Sequence, residues 1–249
     1  MFNLDGKIAL VTGGNGGIGR EIVLALAAVG ASVVSCDISE ELGEFLCKQM
    51  REAGLSVKFK KLDVTNSLEV DTIMDSIVEE YGTLDILVNS AGVLGDSIIT
   101  QLSDDDWERV LKVNLDGSFY TCRKAVSIME EKRSGKIINI ASVGGKLGFK
   151  FAGVNYCSSK GGIMALTRQL ALQVGANNIN VNAVAPVTTR TDMIKNRPGD
   201  VIKYIEDSIP MGKMATTKDT ASAVVFLASD SSNYITGETI DVNGGLYMD

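Results

Sequence analysis

A regular alternation constrains the fold of this chain more than any other feature. Short apolar, β-branched runs recur at Ile8 to Thr12, Ser32 to Asp37, Val57 to Leu62, Ile86 to Asn89, Lys136 to Ile140, Asn180 to Ala185 and Thr239 to Val242. Between them lie amphipathic stretches of helical period, among them Gly17 to Val29, Ser67 to Tyr81, Trp107 to Glu131 and Ser158 to Val174. Strands separated by helix-length segments pair in parallel, through right-handed βαβ units. The expectation is an α/β fold, a doubly wound seven-stranded parallel sheet with helices on both faces. With 249 residues, 45% of them hydrophobic, the chain can bury a large core. Only three prolines and no low-complexity tract mark a linker, so residues 1–249 read as a single domain.

Composition removes whole classes of chemistry. There is no histidine, which excludes Ser-His-Asp and Cys-His nucleophilic catalysis, imidazole hydride shuttles and any metal site built on imidazole. A net charge of −7 repels phosphate backbones, so no nucleic-acid partner is expected. The longest apolar stretch, Ile22 to Val34, is interrupted by Gly30 and Ser32 and is too short to span a bilayer. A soluble, cytoplasmic protein without a membrane partner is expected. Cys36, Cys47, Cys122 and Cys157 show neither C-x-x-C nor metal-ligand spacing and read as reduced thiols. Ser103 followed by Asp104, Asp105 and Asp106 reads as an N-cap with an acidic first turn rather than a metal cluster.

The first strand runs directly into Gly13-Gly14-Asn15-Gly16-Gly17-Ile18-Gly19, after which a helix is predicted. Glycines in such a turn let backbone N–H groups approach a pyrophosphate at a helix N-terminus. The generic G-x-G-x-x-G register falls on Gly14, Gly16 and Gly19. Asp37 closes the second strand, about twenty residues on, where a carboxylate accepts a hydrogen bond from a ribose 2′-hydroxyl. The same carboxylate repels a 2′-phosphate, and no lysine or arginine lies within Gly13 to Gly19 to compensate. NAD(H) is therefore expected over NADP(H).

Tyr156 and Lys160 stand at i and i+4, on one face if the segment is helical. An ammonium near a phenol favours phenolate and pulls the tyrosine pKa down from about 10. Such a tyrosine can exchange a proton with an alcohol or carbonyl. Ser142, just past the fifth strand, falls where its hydroxyl could bond the same substrate oxygen.

Together these motifs resemble the short-chain dehydrogenase/reductase family, single-domain enzymes with a Rossmann fold, over nearly the whole chain. Thr12 and Gly13 with Gly17, Ile18 and Gly19 are similar to the family's T-G-x-x-x-G-x-G, making Gly13, Gly17 and Gly19 the pattern glycines. Asn15 lies in the same turn and is grouped with the cofactor-binding residues. Asp63-Val64 resembles the adenine-contacting pair after the third strand, and Asn89-Ser90-Ala91-Gly92 resembles N-N-A-G, with Ser90 in place of the second asparagine. Asn114, Ser142, Tyr156 and Lys160 match the family's catalytic tetrad. The resemblance implies that Tyr156 is the general acid/base and that Ser142 orients the substrate oxygen. It further implies that Lys160 binds the nicotinamide ribose and lowers the tyrosine pKa, while Asn114 holds a water in the proton relay. No metal is required.

The family usually has P-G after the sixth strand, whereas here Pro186 precedes Val187. Glycine permits backbone angles that valine resists, so cofactor contacts from Pro186, Thr189 and Thr191 depend on the path of this loop. Residues 188 to 215 resemble the substrate-covering insertion and carry Met193, Ile194, Ile202, Tyr204, Ile205, Ile209, Met211 and Met214, which suit either a hydrophobic substrate or helical packing. The expected activity is NAD(H)-dependent interconversion of a secondary alcohol and a ketone, with a hydroxysteroid, a polyol or another secondary alcohol as substrate. The alternatives are a 3-oxoacyl-[acyl-carrier-protein] reductase, which usually uses NADPH, and a catalytically silent NAD-binding sensor or scaffold. By resemblance, helices around Trp107 to Arg133 and Ser158 to Ala176 pair across subunits, implying a homotetramer or homodimer.

Overall fold

The structure is a computed structural model that describes residues 2–191, 194 and 198–248. Its strands are β1 (Ile8–Thr12), β2 (Ser32–Asp37), β3 (Val57–Lys61), β4 (Ile86–Asn89), β5 (Gly135–Ile140), β6 (Ile179–Pro186) and β7 (Thr239–Val242). All pair in parallel, in a seven-stranded sheet of order β3-β2-β1-β4-β5-β6-β7. The helices are α1 (Gly17–Ala28), α2 (Glu40–Glu52), α3 (Ser67–Tyr81), α4 (Asp104–Leu111), α5 (Gly117–Lys132), α6 (Val154–Val174), α7 (Gly199–Ser208) and α8 (Thr217–Ala228). This is the Rossmann-type layering that the alternation predicts.

Strand β1 shows why the central runs are mostly apolar without alternating. All five of its residues are buried. Ala9 and Val11 pack on one side with Ile22 and Leu26 of α1, Met50 of α2 and Val224 of α8. Ile8 and Leu10 pack on the other with Met74 of α3, Met129 of α5 and Val174 of α6. A parallel sheet covered on both faces leaves no solvated side for alternating polar residues. Because β1 lies between β2 and β4, the winding reverses there. A crevice opens outside the carboxyl ends of these two strands.

Two helical expectations change. The stretch Trp107 to Glu131 is not one helix: α4 and α5 are joined by a π-helical turn, Lys112–Asp116. Apolar periodicity does not register one wide turn inside an otherwise continuous pattern. The stretch expected from Ser158 begins earlier, at Val154, so Tyr156 and Lys160 share α6. Ser103 is the N-cap of α4, its Oγ accepting the Asp106 N–H at 3.1 Å. Among the described residues no group of three potential ligands is placed to hold a metal ion, and no helix is long and apolar enough to cross a membrane.

Candidate active site

The crevice is a cleft of about 780 Å³. Its floor at one end is the turn between β1 and α1, where Gly13 has φ +67° and approaches the next strand's turn so closely that a Cβ would lie 2.7 Å from Ala91 N. A Cβ on Gly19 would overlap the carbonyl oxygen of Gly13, and one on Gly17 would meet Thr191 Cγ2 at 2.8 Å. These are the three pattern glycines, and each is held to glycine by a different neighbour. The cradle fits a pyrophosphate: backbone lines it in place of side chains, and α1 begins at Gly17.

At the far end of this turn, Asp37 Oδ2 accepts the Asn15 N–H at 3.2 Å and its Oδ1 accepts the Ser39 N–H at 3.3 Å. Asn15 Nδ2 in turn donates to the Ser39 carbonyl at 2.8 Å, leaving Asn15 Oδ1 buried and without a partner. A fixed carboxylate and an orphaned acceptor side by side are what a dihydroxy ribose could satisfy. Beside it, after β3, the cleft is lined by Asp63, whose Oδ1 accepts from Thr65 N at 2.9 Å and Thr65 Oγ1 at 2.7 Å, and by Val64. Ile18, Ala91 and Gly92 also line the cleft.

Thr12 and Asn89 stand behind that lining rather than in it. Thr12 Oγ1 accepts the N–H groups of Ser90 and Ala91, both at 3.2 Å, clipping the β4 turn against β1. Asn89 donates to Asn139 Oδ1 at 2.9 Å and accepts from Thr121 Oγ1 at 2.7 Å, tying β4 to β5 and α5 inside the core.

The chemistry-bearing group lies at the other end. Ser142 follows β5, Tyr156 and Lys160 project from the first turns of α6, and all three line the cleft. Lys160 is buried and donates to the Ile140 carbonyl at 2.7 Å, and burial brings its ammonium down to about 8. Its Nζ lies 5.7 Å from the centre of the Tyr156 ring. By the chemistry of the pair alone, Lys160 should lower the tyrosine. In the structure burial of the phenol prevails and raises Tyr156 above its usual value, with the Ser142 hydroxyl opposing the shift.

Asn114 sits in the π turn, 0% exposed. Its Oδ1 accepts the Val93 N–H at 2.8 Å, and its Nδ2 donates to the Val93 carbonyl and to Ser159 Oγ, both at 3.0 Å. It therefore stands behind the cleft wall and braces the loop after β4 against α6.

A family model described as Enoyl-(Acyl carrier protein) reductase matches residues 13–247. The 3-oxoacyl-[acyl-carrier-protein] reductases FabG of Salmonella typhimurium and Escherichia coli are each 38% identical over 247 residues, covering 99% of this chain and all of each relative. This chain belongs to the short-chain dehydrogenase/reductase family. The solved structure of gox2181 superposes with a TM-score of 0.96 at 32% identity, covering 98% of this chain and 96% of that one. That of the 3-oxoacyl-[acyl-carrier protein] reductase from Brucella melitensis gives 0.94 at 31%, covering 98% and 92%.

The short-chain dehydrogenase/reductase frame makes the loop after β6 the informative departure. Among the described residues only Arg133 and Asn178 have a left-handed backbone without being glycine, so Val187 needs no angle that valine resists. Its N–H donates to the Val242 carbonyl at 3.0 Å and its side chain packs with Val143, Ile205, Ile209 and Met214. Pro186, Thr189 and Thr191 line the cleft, and the insertion leaves and returns through a bridge between Thr189 and Ala215. Within it, Ile205, Ile209 and Met214 are buried and Ile194 is partly buried, whereas Tyr204 and Met211 are exposed. Met193 lies outside the described residues. Phe149 and Phe151, which belong to none of the sequence motifs, also line the cleft from the loop before α6. Two aromatics within four residues of a glycine-bounded loop were the available signal.

Proposed function

We propose that this enzyme reduces the ketone of a 3-oxoacyl thioester with NADH, with Tyr156 as general acid. The observation that carries the reaction is the convergence of Ser142, Tyr156 and Lys160 on the cleft that also holds the glycine turn. The names of the full-length relatives favour the thioester over the hydroxysteroid or polyol that Asp37 alone suggests. Asp37 favours NADH because a 2′-phosphate would face a carboxylate already fixed by two N–H groups.

The nicotinamide supplies the hydride when bound. Gly13, Gly17 and Gly19 would hold the pyrophosphate, Asp37 and Asn15 the adenosine ribose, Asp63 and Val64 the adenine, and Thr189 and Thr191 the nicotinamide end. Ser142 donates a hydrogen bond to the ketone oxygen, and Tyr156 gives that oxygen its proton as the carbon gains the hydride. The charge of Lys160 stabilises the tyrosinate left behind, and Asn114, buried with its amide bonded to Val93 and Ser159, supports the wall behind this pair in place of the relay water that the resemblance implies. Four free cysteines fit a reducing compartment such as the cytoplasm.

The test is a panel of 3-oxoacyl thioesters, steroid ketones and polyols, with NADH and NADPH in parallel, using wild type and Tyr156→Phe. We expect thioester reduction with about tenfold or greater preference for NADH, as a repulsive contact to the 2′-phosphate implies. Tyr156→Phe should bind NADH yet lose about 10² to 10⁴ in turnover. Equal efficiency with both cofactors, activity confined to steroids or polyols, or an active phenylalanine variant would each overturn the corresponding part.

A further inference from the structure

We propose that Asn155, paired with Asp106, is the positioning residue that sets Tyr156 in the cleft. The inference rests on the reading of Tyr156 as the acid/base group, but its observations lie outside the cleft. Helix α6 starts after Gly153, which has no side chain to cap it. Asn155, one residue before the tyrosine, is 0% exposed. Its Oδ1 accepts the Tyr156 N–H at 2.9 Å, which fixes the orientation of the amide because only oxygen can accept there. Nδ2 therefore faces α4 and donates to the carbonyl of Asp106 at 3.3 Å and to its Oδ2 at 3.4 Å.

The surroundings are shaped to this side chain. A Cβ on Gly95 would overlap Asn155 Oδ1, and one on Gly153 would lie 2.6 Å from it. The two glycines are joined by a hydrogen bond from Gly153 N to the Gly95 carbonyl. Asp106 is held by Arg109 through Nε at 3.0 Å and Nη2 at 2.6 Å, and Nη2 also reaches the Leu94 carbonyl at 3.4 Å. A continuous chain of polar contacts thus runs from Leu94, on the cleft wall, through Arg109, Asp106 and Asn155 to the backbone of Tyr156. The Arg109 end of this chain is exposed, but its Asn155 end is fully buried, where one wrong donor is costly.

Asn155→Asp retains an acceptor for the Tyr156 N–H but sets a carboxylate against Asp106. Asp106→Asn in the same chain restores a donor and acceptor across the pair. The expected result is a kcat at least tenfold lower in Asn155→Asp with KM for NADH unchanged, and recovery to within threefold of wild type in Asn155→Asp/Asp106→Asn. The Tyr156 ¹³Cζ resonance, assigned with Tyr156→Phe, gives a second readout that needs no substrate. Its titration midpoint should rise in Asn155→Asp and move back in the double variant. If wild type reduces no thioester while this titration behaves as expected, the substrate reading fails and the positioning role stands. Wild-type turnover and titration in Asn155→Asp would overturn the proposal. So would a double variant that is folded but no more active than the single one. A double variant that does not fold overturns it as well, since that chain keeps the acceptor for the Tyr156 N–H and a donor–acceptor contact between the two side chains, and gives up only the bond to the Asp106 carbonyl.

Discussion

Lys160 shows what one residue gives up for function. Its ammonium is buried with the Ile140 carbonyl as its acceptor among the described residues, and burial lowers it to about 8 from an ordinary 10.5. Below pH 8 the folded protein carries that buried charge in full. Between about 8 and 10.5 the folded form releases the proton while the unfolded chain keeps it, so stability rises with pH across that window. Lys160→Met should therefore lose turnover yet melt about 3 °C or more above wild type at pH 7, on the order of 1 kcal/mol. Calorimetry from pH 7 to 10 checks this, and the gap should narrow above pH 8; a variant that melts lower at pH 7 would show that the ammonium is fully compensated. Reductive turnover should likewise fall through a limb near pH 8 as Lys160 discharges, with Tyr156 still protonated there. Cys157, next to the tyrosine, is raised chiefly by burial, which leaves little thiolate near neutrality.

At the scale of elements, the junctions are more demanding than the elements. The β1–α1 turn closes only because Gly19 lets its backbone meet the Gly13 carbonyl. Gly19→Ala should open that turn and weaken NADH binding about tenfold or more, as overpacking of 1–3 kcal/mol implies. Fluorescence titration with NADH measures it, and an unchanged Kd would show that the turn does not hold the cofactor. The glycines of this turn were legible in sequence because the loss of side chains leaves a mark in composition. The π turn at Lys112–Asp116 was not, because its cause is tertiary: Asn114 bonds Val93 and Ser159, 21 and 45 residues away. Asn89 was legible as part of a motif, but its inward-facing amide, bonded to Asn139 and Thr121, was not. The start of α6 at Val154 was also hidden, since Gly153 carries no capping side chain and Asn155 does that work from inside the helix.

For the whole molecule, α5 and α6 each expose a large apolar side chain, Phe119 at 44% and Leu172 at 80%. Association through these helices would cover both, and we expect a homotetramer by light scattering, shifted to smaller species by Leu172→Glu. A monomeric wild type would remove that expectation. The layered α/β fold, the glycine turn, the place of Asp37 at the end of β2 and the candidate set Ser142, Tyr156 and Lys160 were legible in the chain itself, because periodicity, backbone freedom and side-chain chemistry are local properties. Tertiary structure alone decided that burial raises Tyr156, that Val187 is accommodated, that Thr12 and Asn89 stand behind the cleft, and that Asn155 meets Asp106. Each of these depends on which distant segments pack together, and on how much water they exclude when they do.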